Sequence, residues 1–172
     1  MGSVDDGAHA SARDGLPSRG ERRPAADDRL AIEELFSRYA WGVDTGDVSA
    51  VAELFVEEAV IEDTVAGKLF RPPHAGRDFA RYFRGRAVFP GRQHWVGQAL
   101  MTMTGVDTCR VRSFGMASHL YATGANYLTY LGSYDDQVVR TSAGWRFRER
   151  RYGSWQRDTF AGYSAVAKEG SA

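Results

Sequence analysis

Residues 31–63, AIEELFSRYAWGVDTGDVSAVAELFVEEAVIED, carry two helices and the entry to a sheet. Apolar Leu30, Ala31, Leu35, Phe36, Tyr39, Ala40 and Val43 recur at steps of three and four, with Glu33, Glu34, Ser37 and Arg38 opposite, so an amphipathic helix is expected from Asp28. Thr45-Gly46-Asp47 should stop it, because Gly46 can take the left-handed conformation of a C-cap. Asp47 can then cap a short second helix through Ala50, Val51, Leu54 and Phe55. Residues 59–65 switch to a strand pattern that turns at Ala66-Gly67-Lys68 into 69–71, and Pro72-Pro73 ends regular pairing.

Further along, residues 76–84 predict a short helix with Phe79, Tyr82 and Phe83 on one side. Past Pro90-Gly91 the stretches 94–104, 109–121, 127–141 and 145–155 read as long strands joined by short turn clusters, which is an antiparallel meander. Helices first and a meander second make the fold class α+β. The expected architecture is a conical barrel, a curved, mostly antiparallel sheet whose central pocket is closed by the N-terminal helices. Strict alternation puts His94, Val96, Gln98 and Leu100 on one face, and Trp95, Gly97, Ala99, Met101 and Met103 on the other.

Before the first helix, residues 1–27 contain no aromatic and only Met1, Val4 and Leu16 as large apolar side chains, so they read as a disordered tail ahead of one domain spanning 28–172. The 172-residue chain balances 22 Lys+Arg against 22 Asp+Glu, and this zero net charge gives nucleic acid or an anionic membrane no global field to follow. The default partner is a small neutral or weakly polar molecule, and the abundance of Trp41, Trp95, Trp145 and Trp155 with the phenylalanines suggests a hydrophobic one. A lone Cys109 permits neither an intrachain disulfide nor a thiolate zinc cage. No apolar run approaches the roughly 20 residues of a membrane span. The N-terminus lacks a signal-type apolar stretch, so the protein reads as cytoplasmic. No metal-binding or phosphate-cradling motif stands out, and no cofactor is expected.

Three fragments in order resemble the SnoaL-like branch of the nuclear transport factor 2-like superfamily, over roughly residues 28–155. The stretch 31–63 is similar to its opening, an aromatic helix ending in an Asp, a short helix and a first strand. RQHWVGQAL at 92–100 resembles its His-bearing strand, and GSYDDQVVRTSAGWRFRERR at 132–151 its closing hairpin, with Gly-x-Tyr-x-Asp on one arm. The resemblance implies a deep apolar pocket, a homodimer through the sheet's outer surface, and cofactor-free elimination chemistry of the kind dehydratases perform. It places the family's helical Asp on Asp44, its strand His on His94, its helix Tyr on Tyr39 and its last-strand Arg on Arg150. Strict alternation groups Trp145, Phe147, Glu149 and Arg151, so Arg150 faces the pocket only across a bulge; otherwise Arg151 takes the role. Gln98 stands where many members place Asn.

The chemistry of such a set follows from its groups. A carboxylate beside a histidine fixes the ring tautomer and stabilises the imidazolium formed when a substrate proton is taken. Positioned acid/base groups supply about 10²–10⁴-fold, enough for eliminations from activated carbons. Tyr39 would donate to a leaving or carbonyl oxygen, and Tyr82 could add a second phenol. Gln98, Trp41, His119 and Tyr134 are candidate ligand contacts, although a tryptophan is equally at home in a core and His119 reads as structural or pocket-lining. A strand His is often a satisfied core residue, and Asp44 alone could cap a loop amide. Arg146, Arg148, Arg150 and Arg151 as a run suit a solvated strand face. Two classes of function therefore stand side by side. One is a cofactor-independent lyase or cyclase, an epoxide-opening ring closure included; the other is a non-catalytic binding or assembly domain. The separation of Asp44 and His94 discriminates them.

Overall fold

The computed structural model describes residues 20–85, 91–120, 124 and 126–154. Helix α1 (Ala26–Thr45) starts two residues earlier than the pattern suggested, with Asp27 and Asp28 in its first turn, where carboxylates oppose the positive end of the helix dipole. Its buried stripe is Ile32, Leu35, Phe36, Tyr39, Gly42 and Val43; Leu30 and Ala31, expected on that face, point to solvent. Gly46 ends the helix at φ +71°, and its neighbour Asp47 donates its N–H to the Gly42 carbonyl at 2.9 Å. Asp47 then caps α2 (Val48–Ala52) by accepting the Ala50 N–H at 2.9 Å. This helix is shorter than expected. Leu54 lies beyond it and Phe55 already opens β1 (Phe55–Asp63), because Phe55 packs its ring on Phe79 and Phe147.

After β1 come β2 (Lys68–Phe70), α3 (Ala75–Gly85), β3 (Gln93–Met103), β4 (Thr108–Leu120), β5 (Asn126–Thr141) and β6 (Gly144–Ser154). They form an open, curved, six-stranded sheet in the order β2-β1-β6-β5-β4-β3. The meander β3 to β6 is antiparallel, and β1 runs parallel to β6 after α3 has carried the chain across to the far edge. Helices α1 and α3 lie over one face, where Phe36 meets Phe147 edge-on at 5.2 Å and Tyr39 stacks on Phe79 at 6.2 Å. This aromatic layer is the core.

Two interruptions of the pleat decide which side chains enter that layer. In β6, Phe147 pairs with Val138 but Glu149 pairs with Gln137, so Arg148 is an extra residue. The bulge turns the pattern over: Trp145 and Phe147 face the core, then Arg150 and Tyr152, while Arg151 turns outward to Glu62 at 3.0 Å. In β3, Gly97 pairs with Phe114 but Leu100 with Arg112, and Gln98 takes a left-handed φ of +53° in the interruption. The face expected to hold His94, Val96, Gln98 and Leu100 is therefore split. His94 and Val96 turn inward, followed by Ala99, Met101 and Met103, whereas Gln98 and Leu100 are exposed.

The chain ahead of α1 is ordered earlier than the expected tail of 1–27 allowed. The Met103 N–H donates to the Arg22 carbonyl at 2.8 Å and Thr102 to Glu21 at 2.9 Å, which ties residues 21 and 22 to edge strand β3. Residues 1–19 of that tail lie outside the described residues.

Glycine packing in the sheet yields a paired prediction. A Cβ on Gly132 would fall 2.1 Å from the Gly153 carbonyl oxygen, whereas one on Gly97 meets nothing within 4 Å. Gly132→Ala should lower the unfolding free energy by about 1–3 kcal/mol in urea titrations, the usual cost of overpacking. Gly97→Ala should change it by less than about 0.5 kcal/mol.

Candidate functional site

Asp44 occupies the last turn of α1, and β3 crosses that helix end with its first residues. One carboxylate thereby holds His94 twice. The His94 backbone N–H donates to Asp44 Oδ2 at 2.7 Å, and ring Nδ1 lies 2.5 Å from Asp44 Oδ1. With Nδ1–H given to the carboxylate, Nε2 is the ring nitrogen left to accept a proton. Arg92, two residues earlier on the same face, places Nε 3.6 Å from Asp44 Oδ1 and donates through its guanidinium to the Val43 carbonyl. The three side chains are nearly enclosed, 8% exposed for His94, 15% for Asp44 and 6% for Arg92. Phe83 of α3 covers them, 5.9 Å from the His94 ring and 5.4 Å from the Arg92 guanidinium. Burial lowers the Arg92 pKa, with Asp44 and Tyr39 acting against that fall. His119 on β4 joins this end of the sheet; burial, then the positive Arg92, depress its pKa.

A second polar centre lies deeper in the same layer. The Arg150 guanidinium carbon sits 3.8 Å from the Tyr39 ring centroid, 4.2 Å from Tyr134, 4.5 Å from Phe147 and 5.4 Å from Phe36. Asp136, its cross-strand neighbour, has Oδ1 3.7 Å from Arg150 Nε, and both side chains are fully buried. Ring faces stabilise a desolvated guanidinium through their quadrupoles, by about 2 kcal/mol or more in such settings. Burial pushes the Asp136 carboxyl up to about 7 against the pull of Arg150, raises Tyr134 to about 12, and lifts Tyr39 well above the ordinary phenol range.

The nine residues singled out from sequence thus separate. His94 and Asp44 are hydrogen-bonded, with His119 close by, and Arg150 gathers Tyr39 and Tyr134. Tyr82 packs against Phe70 at 5.4 Å and Phe83 at 6.3 Å, one ring removed from His94. Trp41 is 74% exposed on the outer side of α1, and Gln98 is turned out by the β3 interruption, so neither is brought to these groups. Arg92 and Asp136 were not singled out, yet both had a signal: each lies two residues along the chain from a chosen residue, Arg92 before His94 and Asp136 after Tyr134, the spacing that shares a side in extended backbone.

Among the described residues the interior beneath the helices is occupied by Arg150 and its rings. A cleft of about 330 Å³ opens on the other face of the sheet beside Glu62, Arg110, Asp135, Glu149 and Arg151. Gly91 abuts Leu120 next to the His94 end, and residues 86–90 and 121–123, which adjoin them in the chain, lie outside the described residues. No described helix is long and apolar enough to cross a membrane.

The model of the SnoaL-like domain matches residues 24–151, which takes in α1, both polar centres and the closing hairpin. The chain belongs to the SnoaL-like family. Solved structures agree on the fold of this SnoaL-like domain. An NTF2-like protein with a cystatin-like fold from Novosphingobium aromaticivorans is 26% identical, with a TM-score of 0.66 over 81% of this chain and 88% of that one. A provisionally named scytalone dehydratase from the same organism is 22% identical, with a TM-score of 0.64 over 77% and 89%. Aln2 from a Streptomyces species is 20% identical, with a TM-score of 0.68 over 86% and 99%. Among curated proteins nothing matches the chain. Membership supports a small-molecule-binding or enzymatic domain.

Asp136 generates a pH prediction. Its carboxyl titrates at about 7 in the folded chain and near 3.9 when unfolded, so its contribution to stability is full below about pH 4 and is lost as pH rises towards 7. Thermal unfolding should show the wild type losing stability relative to Asp136→Asn, on the order of a few kcal/mol, between about pH 4 and pH 7. A pH-independent difference between the two proteins would contradict it.

Proposed function

We propose that this SnoaL-like domain is a cofactor-independent acid/base enzyme, a dehydratase or cyclase acting on a hydrophobic polyketide-, terpenoid- or alicyclic-type molecule. The observation that carries the reading is the double grip of Asp44 on His94, with ring Nδ1 2.5 Å from the carboxylate. In a dehydration, His94 Nε2 takes a proton from an activated carbon, Asp44 stabilises the imidazolium, the C–O bond breaks as the double bond forms, and the imidazolium returns that proton to the departing oxygen, which leaves as water. Arg150 and Tyr39 would stabilise the oxygen that becomes negative. Ring closure by epoxide opening uses the same base, on a substrate hydroxyl instead of a carbon acid. The second reading is a non-catalytic binding or assembly domain; the filling of the described interior by Arg150 and its rings favours its assembly form, and turnover separates the two readings.

The test is loss of water from a panel of hydroxylated polyketide- and terpenoid-type compounds, followed by mass spectrometry and by the absorbance of the new double bond. On any compound that the wild type converts, His94→Ala should lower kcat by about 10²–10⁴-fold. Asp44→Asn, which leaves the ring without its carboxylate, should lower kcat by at least about tenfold and shift the pH profile. Full turnover by both variants refutes the mechanism.

The outer face of the sheet supports a homodimer. Trp95, Met116 and Leu131 are register neighbours across β3, β4 and β5, and with Phe114 and Leu128 they leave an apolar patch in which Trp95 is 54% and Leu128 59% exposed. Light scattering should give twice the chain mass for the wild type and the single chain mass for Phe114→Glu combined with Leu131→Glu.

A further inference from the structure

Arg150 Nε and both terminal nitrogens, together with both Asp136 oxygens and Ser113 Oγ, are buried without a hydrogen-bond partner. They lie on one face in adjacent rows of the sheet, Asp136 opposite Arg150 and Ser113 opposite Tyr134. An unpaired buried polar atom gives up its hydration with nothing in return, so several on neighbouring strands call for a guest that satisfies them together. The contacts around Arg150 say what kind. The guanidinium carbon lies over the Tyr39 and Tyr134 rings at 3.8 and 4.2 Å, contacts that engage its charge and leave N–H groups for an oxygen acceptor. Asp136 stands 3.7 Å from Nε, outside hydrogen-bond reach, so the carboxylate is a competing charge and not a bound partner.

We propose that Arg150 and Asp136 together form a receptor for an acidic oxygen of the ligand, an enolate, phenolate or carboxylate, and that Asp136 takes up one proton from solvent as that anion binds. While Asp136 is ionised its carboxylate cancels the guanidinium charge, so the neutral pair offers a guest anion no net attraction. Once protonated, it leaves the guanidinium charge to the guest and offers an O–H donor of its own. Burial already brings this carboxyl to about 7, so the proton is available near neutral pH. The surrounding groups do not supply it. Tyr39 of α1, Tyr130 and Tyr134 of β5 and Tyr152 of β6 are all raised by burial and stay neutral, Asp135 turns outward to Arg110 at 2.6 Å, and Asp63 of β1 faces Tyr152. The inference rests on the acid/base reading only for its catalytic meaning, where it names the group that substrate or intermediate presents to Arg150. Binding itself does not require that reading.

Benzoate is a suitable probe, since it stays ionised from about pH 6 upward and its ring suits an aromatic-lined site. Calorimetry at about pH 7 in two buffers of different ionisation enthalpy should show a fraction of a proton taken up, and affinity should weaken by up to about tenfold per pH unit above about pH 7.5. Asp136→Asn should bind with no proton uptake and a flat pH profile, and Arg150→Gln should bind at least about tenfold more weakly. His94→Gln separates the two centres: a pH dependence that persists in it and vanishes in Asp136→Asn supports the receptor, and the reverse overturns it. The wild type is decisive even without a variant. Absence of benzoate binding, or binding without proton uptake, overturns the proposal and leaves the dyad to be judged on turnover.

Discussion

A single carboxylate at the end of the first helix joins that helix to the edge strand. Asp44 accepts from the backbone and faces the ring of the same histidine, so it fixes where β3 lies and how the imidazole is turned. Arg92 completes the junction by donating to the Val43 carbonyl, a helix-end acceptor that it shares with the Gly46 N–H. Packing and site chemistry are here one set of bonds. Moving the helix end would misplace the base as well as open the core.

The second constraint is a buried cation. Removing a guanidinium from water is expensive, and the domain offsets that cost with four ring faces and one carboxylate in place of a full set of hydrogen bonds. The rings that serve Arg150 also form the contact layer between α1 and the sheet, which ties the polar centre to the stability of the fold. Hydrogen-bonding capacity left unused in such a place is typical of a functional site, where stability is given up for binding.

Much of the architecture was legible in the sequence because it depends on local periodicity and on turn chemistry. The 3.6-residue pattern marked α1, Gly46 and Asp47 marked the break between helices, and four long β-compatible runs marked the meander. The errors lay where tertiary packing overrode local preference. Phe55 reads as helical beside Leu54 but leaves α2 to join the ring layer of β1, and Glu21 and Arg22 read as tail but hydrogen-bond along β3. Leu30 and Trp41 are apolar and yet exposed, since burial depends on what lies opposite and not on side-chain type.

The same division runs through the site. Residue types and spacing determined that a helix would end near an Asp, that a strand would carry a His, and that an Arg would lie close to the end of the hairpin. Tertiary structure alone decided that Arg150 and not Arg151 enters the core, because one extra residue at Arg148 reverses the alternation of β6. It also decided that Gln98 leaves the inner face, through the interruption in β3. A bulge is a property of two strands in register, set by pairing with a neighbour distant in the chain, and no single strand's own sequence encodes where that register slips.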